Sequence, residues 1–291
     1  EFELTRTTRR VYTDGAAFLT EFPFSQNRRL EAAAGYSFVR FDLEREEFRI
    51  ADGRVVSSRA VPAENPSPLH LVRMPISYVG DYSYFGFTAP FAGRRFRFGL
   101  EPVFGSLNYL SVSADFRRYL FMNPMSLAFR FLHHGRYLGD SESGMLTPLF
   151  LGANGLVRGY GPSLFSVPYC TDGTARPEFD SISGTRIGVF NAELRLALVG
   201  NRDLGLIDFP YLPVTLAAFF DAGVAWKRDE LPVFGLPGTS PDRGHRIPVY
   251  SVGGSLSVNF LGAFVAQLYY VYPFQRPDRG AHFGLSIGAG F

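Results

Sequence analysis

Strict alternation of side-chain character constrains this chain more than any other feature of its sequence. In the last twelve residues, Ala281, Phe283, Leu285, Ile287, Ala289 and Phe291 alternate with Gly280, His282, Gly284, Ser286, Gly288 and Gly290. A period of two places the apolar set and the small or polar set on opposite faces of a β-strand. The segment is therefore predicted to be a strand between two very different environments.

The same period recurs along most of the chain. Eleven segments show it: 11–24, 29–38, 69–80, 94–104, 109–117, 125–135, 184–199, 213–226, 249–260, 263–274 and 280–291. Residues 1–8 are interpreted as the tail of a twelfth. No run approaches the ~20 consecutive apolar residues that a membrane helix needs, and 31 Gly and 20 Pro interrupt the chain too often for a helical bundle. The predicted class is all-β and antiparallel, with eleven or twelve visible strands.

Alternation alone fits a soluble sandwich or a transmembrane β-barrel, because each has one apolar face. Connection lengths favour the barrel. Short turns are expected at 25–28, 121–125 and 260–263, and mostly longer, more polar loops at 44–68, 136–183, 227–247 and 275–279. Short turns at one end and long loops at the other are typical of outer-membrane barrels. Aromatic residues crowd strand ends, as interfacial girdles require: Tyr269, Tyr270, Tyr272 and Phe274.

Composition and motifs argue against several other classes. A net charge of +2 does not favour a nucleic-acid partner, and one cysteine, Cys170, excludes a disulfide framework and a cysteine-based metal site. Gly284-Leu285-Ser286-Ile287-Gly288 spells G-x-S-x-G, but a nucleophile elbow needs a turn and a helix after its strand, and this motif lies inside a strand. We expect no catalytic residues, no metal and no cofactor.

Two motifs carry a resemblance to a known family. Val157-Arg158-Gly159-Tyr160 resembles the VRGY/F motif of the BamA/TamA outer-membrane barrel superfamily, also called the bacterial surface antigen family. The stretch 219–223, FFDAG, is similar to its F-x-D-x-G motif. The strand that carries Phe283, Leu285, Ile287 and Phe291 resembles the family's terminal assembly signal. The likeness runs over essentially the whole chain, and is nearest to barrels fused behind a β-propeller.

Strand parity gives an independent argument about the same residues. Glu193 and Asp221 lie opposite the apolar parity of neighbouring predicted strands, so both are expected to face the lumen. Two enclosed carboxylates are costly without a cation, and Arg158, flanked by glycines, can supply a planar donor. The alternative is a solvated loop arginine and an ordinary lumen charge. The motif favours the first interpretation, with Val157, Arg158, Gly159 and Tyr160 as a loop-lock motif and Glu193, Phe219, Asp221 and Gly223 as its lumen partners.

The resemblance implies a single outer-membrane β-barrel domain over residues 1–291, with the long loop 136–183 folded into the lumen. Superfamily barrels usually have about sixteen strands, so we expect a smaller barrel or, preferably, the C-terminal part of a sixteen-strand one. The implied function is insertion or translocation of proteins at the bacterial outer membrane, without enzymatic activity. The alternative is a passive anchor or pore for a fused N-terminal soluble domain. Implied partners are outer-membrane lipid and lipopolysaccharide, client proteins and the barrel-assembly machinery.

The terminal aromatic residue yields a first prediction. Deletion of Phe291 removes little buried area, so the stability of inserted molecules should stay near normal, whereas membrane insertion should fall because the family's assembly machinery reads this end. The measurement is the fraction of heat-modifiable protein in isolated outer membranes, compared with its unfolding midpoint. Normal insertion of the deletion variant in cells would contradict the assignment.

Overall fold

The computed structural model describes residues 2–51, 54–161, 182–235, 245–276 and 280–288, so Cys170 and Phe291 lie outside the described residues. Within those ranges the strands are β1 (Phe2–Ser25), β2 (Arg28–Ala51), β3 (Arg54–Val61), β4 (Leu69–Arg73), β5 (Ile76–Asp81), β6 (Tyr84–Phe85), β7 (Pro90–Gly105), β8 (Tyr109–Met122), β9 (Met125–Tyr137), β10 (Leu149–Phe150), β11 (Ser183–Gly184), β12 (Arg186–Gly200), β13 (Ile207–Asp208), β14 (Val214–Trp226), β15 (Leu231–Pro232), β16 (His245–Arg246), β17 (Val249–Phe260), β18 (Phe264–Pro273) and β19 (His282–Ile287). A 3₁₀ turn covers Ala153–Gly155. No helix in this part of the chain is long and apolar enough to span a membrane.

Eleven strand positions form one antiparallel path, in the order β1-β2-β4-β7-β8-β9-β12-β14-β17-β18-β19. β4 and β5 together form one strand position of the sheet, because both pair with β2 on one side and with β7 on the other. These positions coincide with the eleven alternating segments, which confirms the predicted all-β antiparallel barrel class. Residues 2–8 were expected in a twelfth strand, but they continue β1 in unbroken register with β2.

The two ends of the sheet differ in their connections. At the short-turn end, 26–27, 123–124 and 261–263 join consecutive strands, as predicted, whereas the connections 82–89 and 201–213 at the same end are longer. At the long-loop end, β9 runs to Tyr137, so the long loop begins at 138 and not at 136.

The predicted polar loop 44–68 is wrong over most of its length. β2 continues to Ala51 and β3 pairs back along it, so a hairpin occupies residues up to Val61. The physical reason is continued strand pairing: Phe2–Arg10 of β1 pair with Asp42–Ile50 of β2, and Arg10 also binds Asp42 at 3.2 Å and Glu44 at 2.7 Å. Opposite charges on facing strands stabilise a ladder whose residues are too polar to be recognised as a buried strand.

Alternation separates an apolar outer face from a polar interior. Leu216, Phe220 and Leu256 are exposed on the outer face, whereas Glu193, Asp221 and Ser251 are buried on the inner face. The sheet curves around that interior, because segment 86–90 reaches strands that are not its sheet neighbours. Arg195 Nη1 on β12 donates to the carbonyl of Pro90 at 2.9 Å, and Thr88 Oγ1 lies 2.7 Å from Thr215 Oγ1. Within the described residues, β1 pairs along its length with β2 and β19 with β18.

The two faces of β17 give a matched test. Leu256→Arg places a charge on the lipid face near the middle of the strand, which should lower the free energy of unfolding by roughly 2–4 kcal/mol. Ser257→Arg places the same charge on the half-buried inner face and should cost much less. Denaturant unfolding in lipid vesicles measures both. Equal losses would contradict two different faces, and a larger loss for Ser257→Arg would show that the faces are assigned the wrong way round.

Candidate functional site

The first part of the long loop packs against the inner face of the sheet. Its base is the two-residue pairing of β10 with β11. The loop residues Leu151, Val157 and Tyr160 are fully buried. They form one hydrophobic cluster with inward side chains of three strands: Ile187, Val189, Ala225 and Val249, together with Ile182. Burial of this apolar area stabilises the loop on the sheet before any polar contact is considered.

Arg158 is the polar centre of this packed loop. Its Nε donates to Asp221 Oδ2 at 2.7 Å and its Nη2 donates to Asp221 Oδ1 at 2.7 Å, which is a bidentate pair. Its Nη1 donates to Glu193 Oε1 at 2.6 Å. The backbone N–H of Arg158 also donates to Asp221 Oδ2, at 3.1 Å. The guanidinium therefore binds carboxylates from two adjacent strands, β12 and β14.

The site is almost closed to solvent. Arg158 is 6% exposed, Glu193 3% and Asp221 0%. Burial disfavours the charged form of Arg158, but its hydrogen bonds and charge attraction to Asp221, reinforced by Glu193, raise the pKa of Arg158 above its ordinary value. The guanidinium thus stays charged, and loss of Arg158 would leave the Asp221 carboxylate without a cation in the interior.

Phe219, Asp221 and Gly223, the alternating residues of the F-x-D-x-G motif, each contact a different part of the loop. The ring centroid of Phe219 lies 3.5 Å from Arg158 Cζ, a cation–π contact. Asp221 binds the guanidinium edge. A Cβ atom at Gly223 would lie 2.6 Å from Val157 Cγ2 and 3.0 Å from Leu151 Cδ2. Glycine is therefore favoured at this position, because the side chains of Val157 and Leu151 occupy the space that a Cβ atom would take.

The rest of the VRGY segment reaches β17 and the end of β18. Gly159 has φ +88°, a left-handed conformation that favours glycine, and a Cβ there would lie 3.2 Å from Pro273. Tyr160 Oη donates to Gln275 Oε1 at 2.9 Å or to the Tyr250 carbonyl at 3.1 Å, and accepts from the Gln275 backbone N–H. Burial raises the pKa of Tyr160, so its hydroxyl remains a donor.

Two residues of this network were not singled out from the sequence. Asn191 Nδ2 donates to Asp221 Oδ1 at 2.8 Å and to the Leu156 carbonyl at 2.9 Å. Arg195 Nε donates to Glu193 Oε2 at 2.7 Å, on the side of Glu193 that Arg158 does not use. The sequence does contain a pattern that indicates both residues: Asn191, Glu193 and Arg195 are polar and occupy successive inward positions of one strand.

The predicted residues of the terminal strand lie away from this network. Phe283, Leu285 and Ile287 are on the outer face of β19 and exposed, and the Phe283 ring lies 4.8 Å from that of Tyr270. Phe291 falls outside the described residues. Among the residues that the structure describes, no cluster of three or more His, Cys, Asp or Glu side chains could hold a metal ion.

Below Arg158 the interior contains a cavity of ≈ 360 Å³. Arg130, Glu193 and Arg195 line one side and Gln267 and Tyr269 the other. Its lining is both polar and apolar, and its charged residues Arg130, Glu193 and Arg195 are held by ion pairs. The arrangement can hold a loop in one position inside a curved sheet.

The close approach at Gly223 gives a prediction. Gly223→Ala should displace Val157 and Leu151, at a cost of about 1–3 kcal/mol for overpacking, and should speed proteolysis of the long loop. Gly254→Ala on the outer face of β17 is the control, since its nearest contact would be an ordinary 3.6 Å from the Ala217 carbonyl. Limited proteolysis of the detergent-solubilised protein measures the effect. Identical cleavage rates for the two variants would refute a packed loop.

Comparisons with known proteins agree with this fold. The model of the Omp85 superfamily domain matches residues 5–291, whereas no curated protein matches the chain. The crystal structure of BamA from Haemophilus ducreyi lacking POTRA domains 1–3 is similar in fold, with a TM-score of 0.61 and 15% sequence identity, over 96% of this chain and 55% of that one. The chain thus spans about half the length of that structure. Because the family match covers nearly the whole chain, including both motifs at the buried site, this chain belongs to the Omp85 superfamily.

Proposed function

We propose that this chain is the membrane barrel of a protein-insertion or translocation component of the bacterial outer membrane, and that the VRGY segment locks its long loop inside the lumen. The observation that carries the proposal is the buried guanidinium of Arg158 between Glu193 and Asp221. Family membership supports the general role. The role is non-enzymatic: the loop and the wall act on a polypeptide client by holding or opening a path.

The lengths of the connections set the proposed orientation. Short turns of outer-membrane barrels face the periplasm and long loops face outside. The loop that carries Arg158 then enters the lumen from outside, and segment 86–90 enters from the periplasmic end. The loop and segment 86–90 are connected through the Glu193 carboxylate. Glu193 binds Arg158 of the loop, and it also binds Arg195, which donates to the Pro90 carbonyl. We interpret this state as a resting barrel that is closed from both ends.

The energetics suit a lock. Breaking an enclosed ion pair by removing one partner costs about 3–5 kcal/mol when both groups are desolvated. A client must supply comparable interaction energy to release the loop, or must pass without moving it. Arg158→Lys keeps the positive charge but loses the bidentate hydrogen bonding of the guanidinium, so we expect it to retain only part of the function.

One feature favours the second candidate, a passive anchor or closed pore for a fused soluble domain. The described part of the loop and segment 86–90 occupy part of the lumen, and Thr88 and Pro90 are hydrogen-bonded to β14 and β12. An obstructed, hydrogen-bonded lumen is what an anchor needs. In an anchor, however, the lock has no client to respond to, and its loss should affect stability without affecting the delivery of other proteins.

A substitution that removes one charge but keeps the shape of the side chain distinguishes the two functions. Asp221→Asn keeps the side-chain shape and removes one of the two negative charges that hold Arg158, so delivery of client proteins to the outer membrane should fall by about tenfold or more. The control is Asp115→Asn. Asp115 also faces the lumen and binds two arginines, Arg117 at 2.7 Å and Arg130 at 2.8 Å, and within the described residues neither of these ion pairs involves the long loop.

The assay is the yield of correctly inserted outer-membrane proteins in cells whose only copy is the full-length variant. Heat-modifiable gel mobility of the variant itself shows that the barrel is folded. A loss confined to Asp221→Asn supports the lock. Normal client delivery with a folded Asp221→Asn barrel would favour the anchor, and equal losses in both variants would show that general lumen charge matters and the lock does not.

A further inference from the structure

The outer face of the sheet is not uniformly convex. A groove of ≈ 740 Å³ crosses β8, β9, β12 and β14 on the side that faces lipid. Small residues form its floor: Ala114, Gly188 and Ala222. Its sides are formed by Phe131, Phe190 and Phe220. The aromatic rings contact one another, with centroids 4.9 Å apart for Phe131 and Phe190 and 6.4 Å apart for Phe190 and Phe220. The lining is therefore apolar and preformed, and its volume falls in the range of about 300–1,000 Å³ typical of small-molecule sites.

A loop from the long-loop end covers part of the groove. Phe234 is 96% exposed and lines the groove from above. The loop is held to the wall by the Tyr250 hydroxyl, which donates to the Gly235 carbonyl at 3.0 Å, and by the ion pair of Arg246 with Glu230 at 2.8 Å. A phenyl group held in this position would be unfavourable in water. It suits contact with hydrocarbon.

The rim of the groove at the same end is polar and basic. His133, which lines the groove, lies 2.7 Å from the Tyr137 hydroxyl through Nε2 and stacks on Trp226 at 5.7 Å. The guanidinium of Arg186 lies over the Tyr137 ring, 4.6 Å from its centroid. Arg186 is two residues from Gly188 on the same outward parity of β12. Arg186 Nε donates to the Arg136 carbonyl at 3.3 Å, and in the described parts of the chain the contacts of Arg186 are with this carbonyl and the Tyr137 ring and include no carboxylate.

We propose that this groove binds one acyl chain of an outer-leaflet lipid whose phosphate group pairs with Arg186. Lipid tails are as apolar as the groove, so transfer of a chain from bilayer to groove gives little hydrophobic gain. Selectivity must come from the shape of the groove and from the charge at its rim. An arginine beside aromatic residues at the membrane surface is suited to an anionic headgroup. The inference depends on placement in a bilayer with the long loops outside, and not on any transport role.

The test uses the full chain in nanodiscs of phosphatidylethanolamine with added lipid A, a phosphorylated glycolipid with several saturated chains. Native mass spectrometry counts the lipid A molecules retained per protein. Arg186→Gln should lower retention by about fivefold, as expected for loss of one basic side chain at an anionic lipid surface. Gly188→Leu fills the floor and should also lower retention. Heat-modifiable gel mobility confirms that each variant is folded.

Arg118→Gln is the matched control, because Arg118 is an exposed outward arginine on β8 that does not line the groove. It should retain lipid A like the unchanged protein, and dephosphorylated lipid A should be retained poorly by both. Equal retention in the unchanged protein and Arg186→Gln, or an equal loss with Arg118→Gln, would overturn the proposal. A dimer that disappears in Gly188→Leu would overturn it in favour of a contact between copies. None of these readouts depends on the outcome of Asp221→Asn.

Discussion

A single guanidinium shared by two buried carboxylates determines where the long loop lies. Asp221 accepts from three nitrogen atoms of Arg158 and from Asn191, and Glu193 accepts from Arg158 and Arg195. In a low-dielectric interior such groups are tolerated only when every partner is in place. The network is therefore compatible with one position of the loop, and a shift of Arg158 by the length of a hydrogen bond would leave a charge unpaired.

The ion pairs and the apolar packing have different roles. The cluster around Leu151, Val157 and Ile187 supplies the burial that stabilises a loop on a sheet. Packing of this kind tolerates small shifts, because dispersion contacts are not directional. Directional, charged bonds remove that tolerance. We attribute stability chiefly to the cluster and positional specificity chiefly to Arg158, since buried ion pairs often add little net stability compared with apolar residues of similar volume.

The same strand alternation creates two chemically separate systems on one sheet. Inward residues of β12 and β14 bind the loop, and outward residues of the same strands form the aromatic groove. Gly223 and Gly188 show the parallel: the first lies where the loop approaches from inside, and the second forms the floor of the groove outside. Because neighbouring positions of one strand face opposite ways, a substitution can alter one system while leaving the other unchanged.

Local pattern determined the strands, their faces and the inward position of the carboxylates, because a period of two is a property of adjacent residues. It also allowed Arg158, Glu193 and Asp221 to be grouped, with help from the motif. The tertiary structure decided the rest. The β2–β3 hairpin, the contact of Arg195 with Pro90, the role of Asn191 and the steric need for Gly223 all join residues from separate segments of the chain. Such contacts depend on sheet curvature and loop path, which adjacent residues do not encode, and so they could not be derived from the sequence alone.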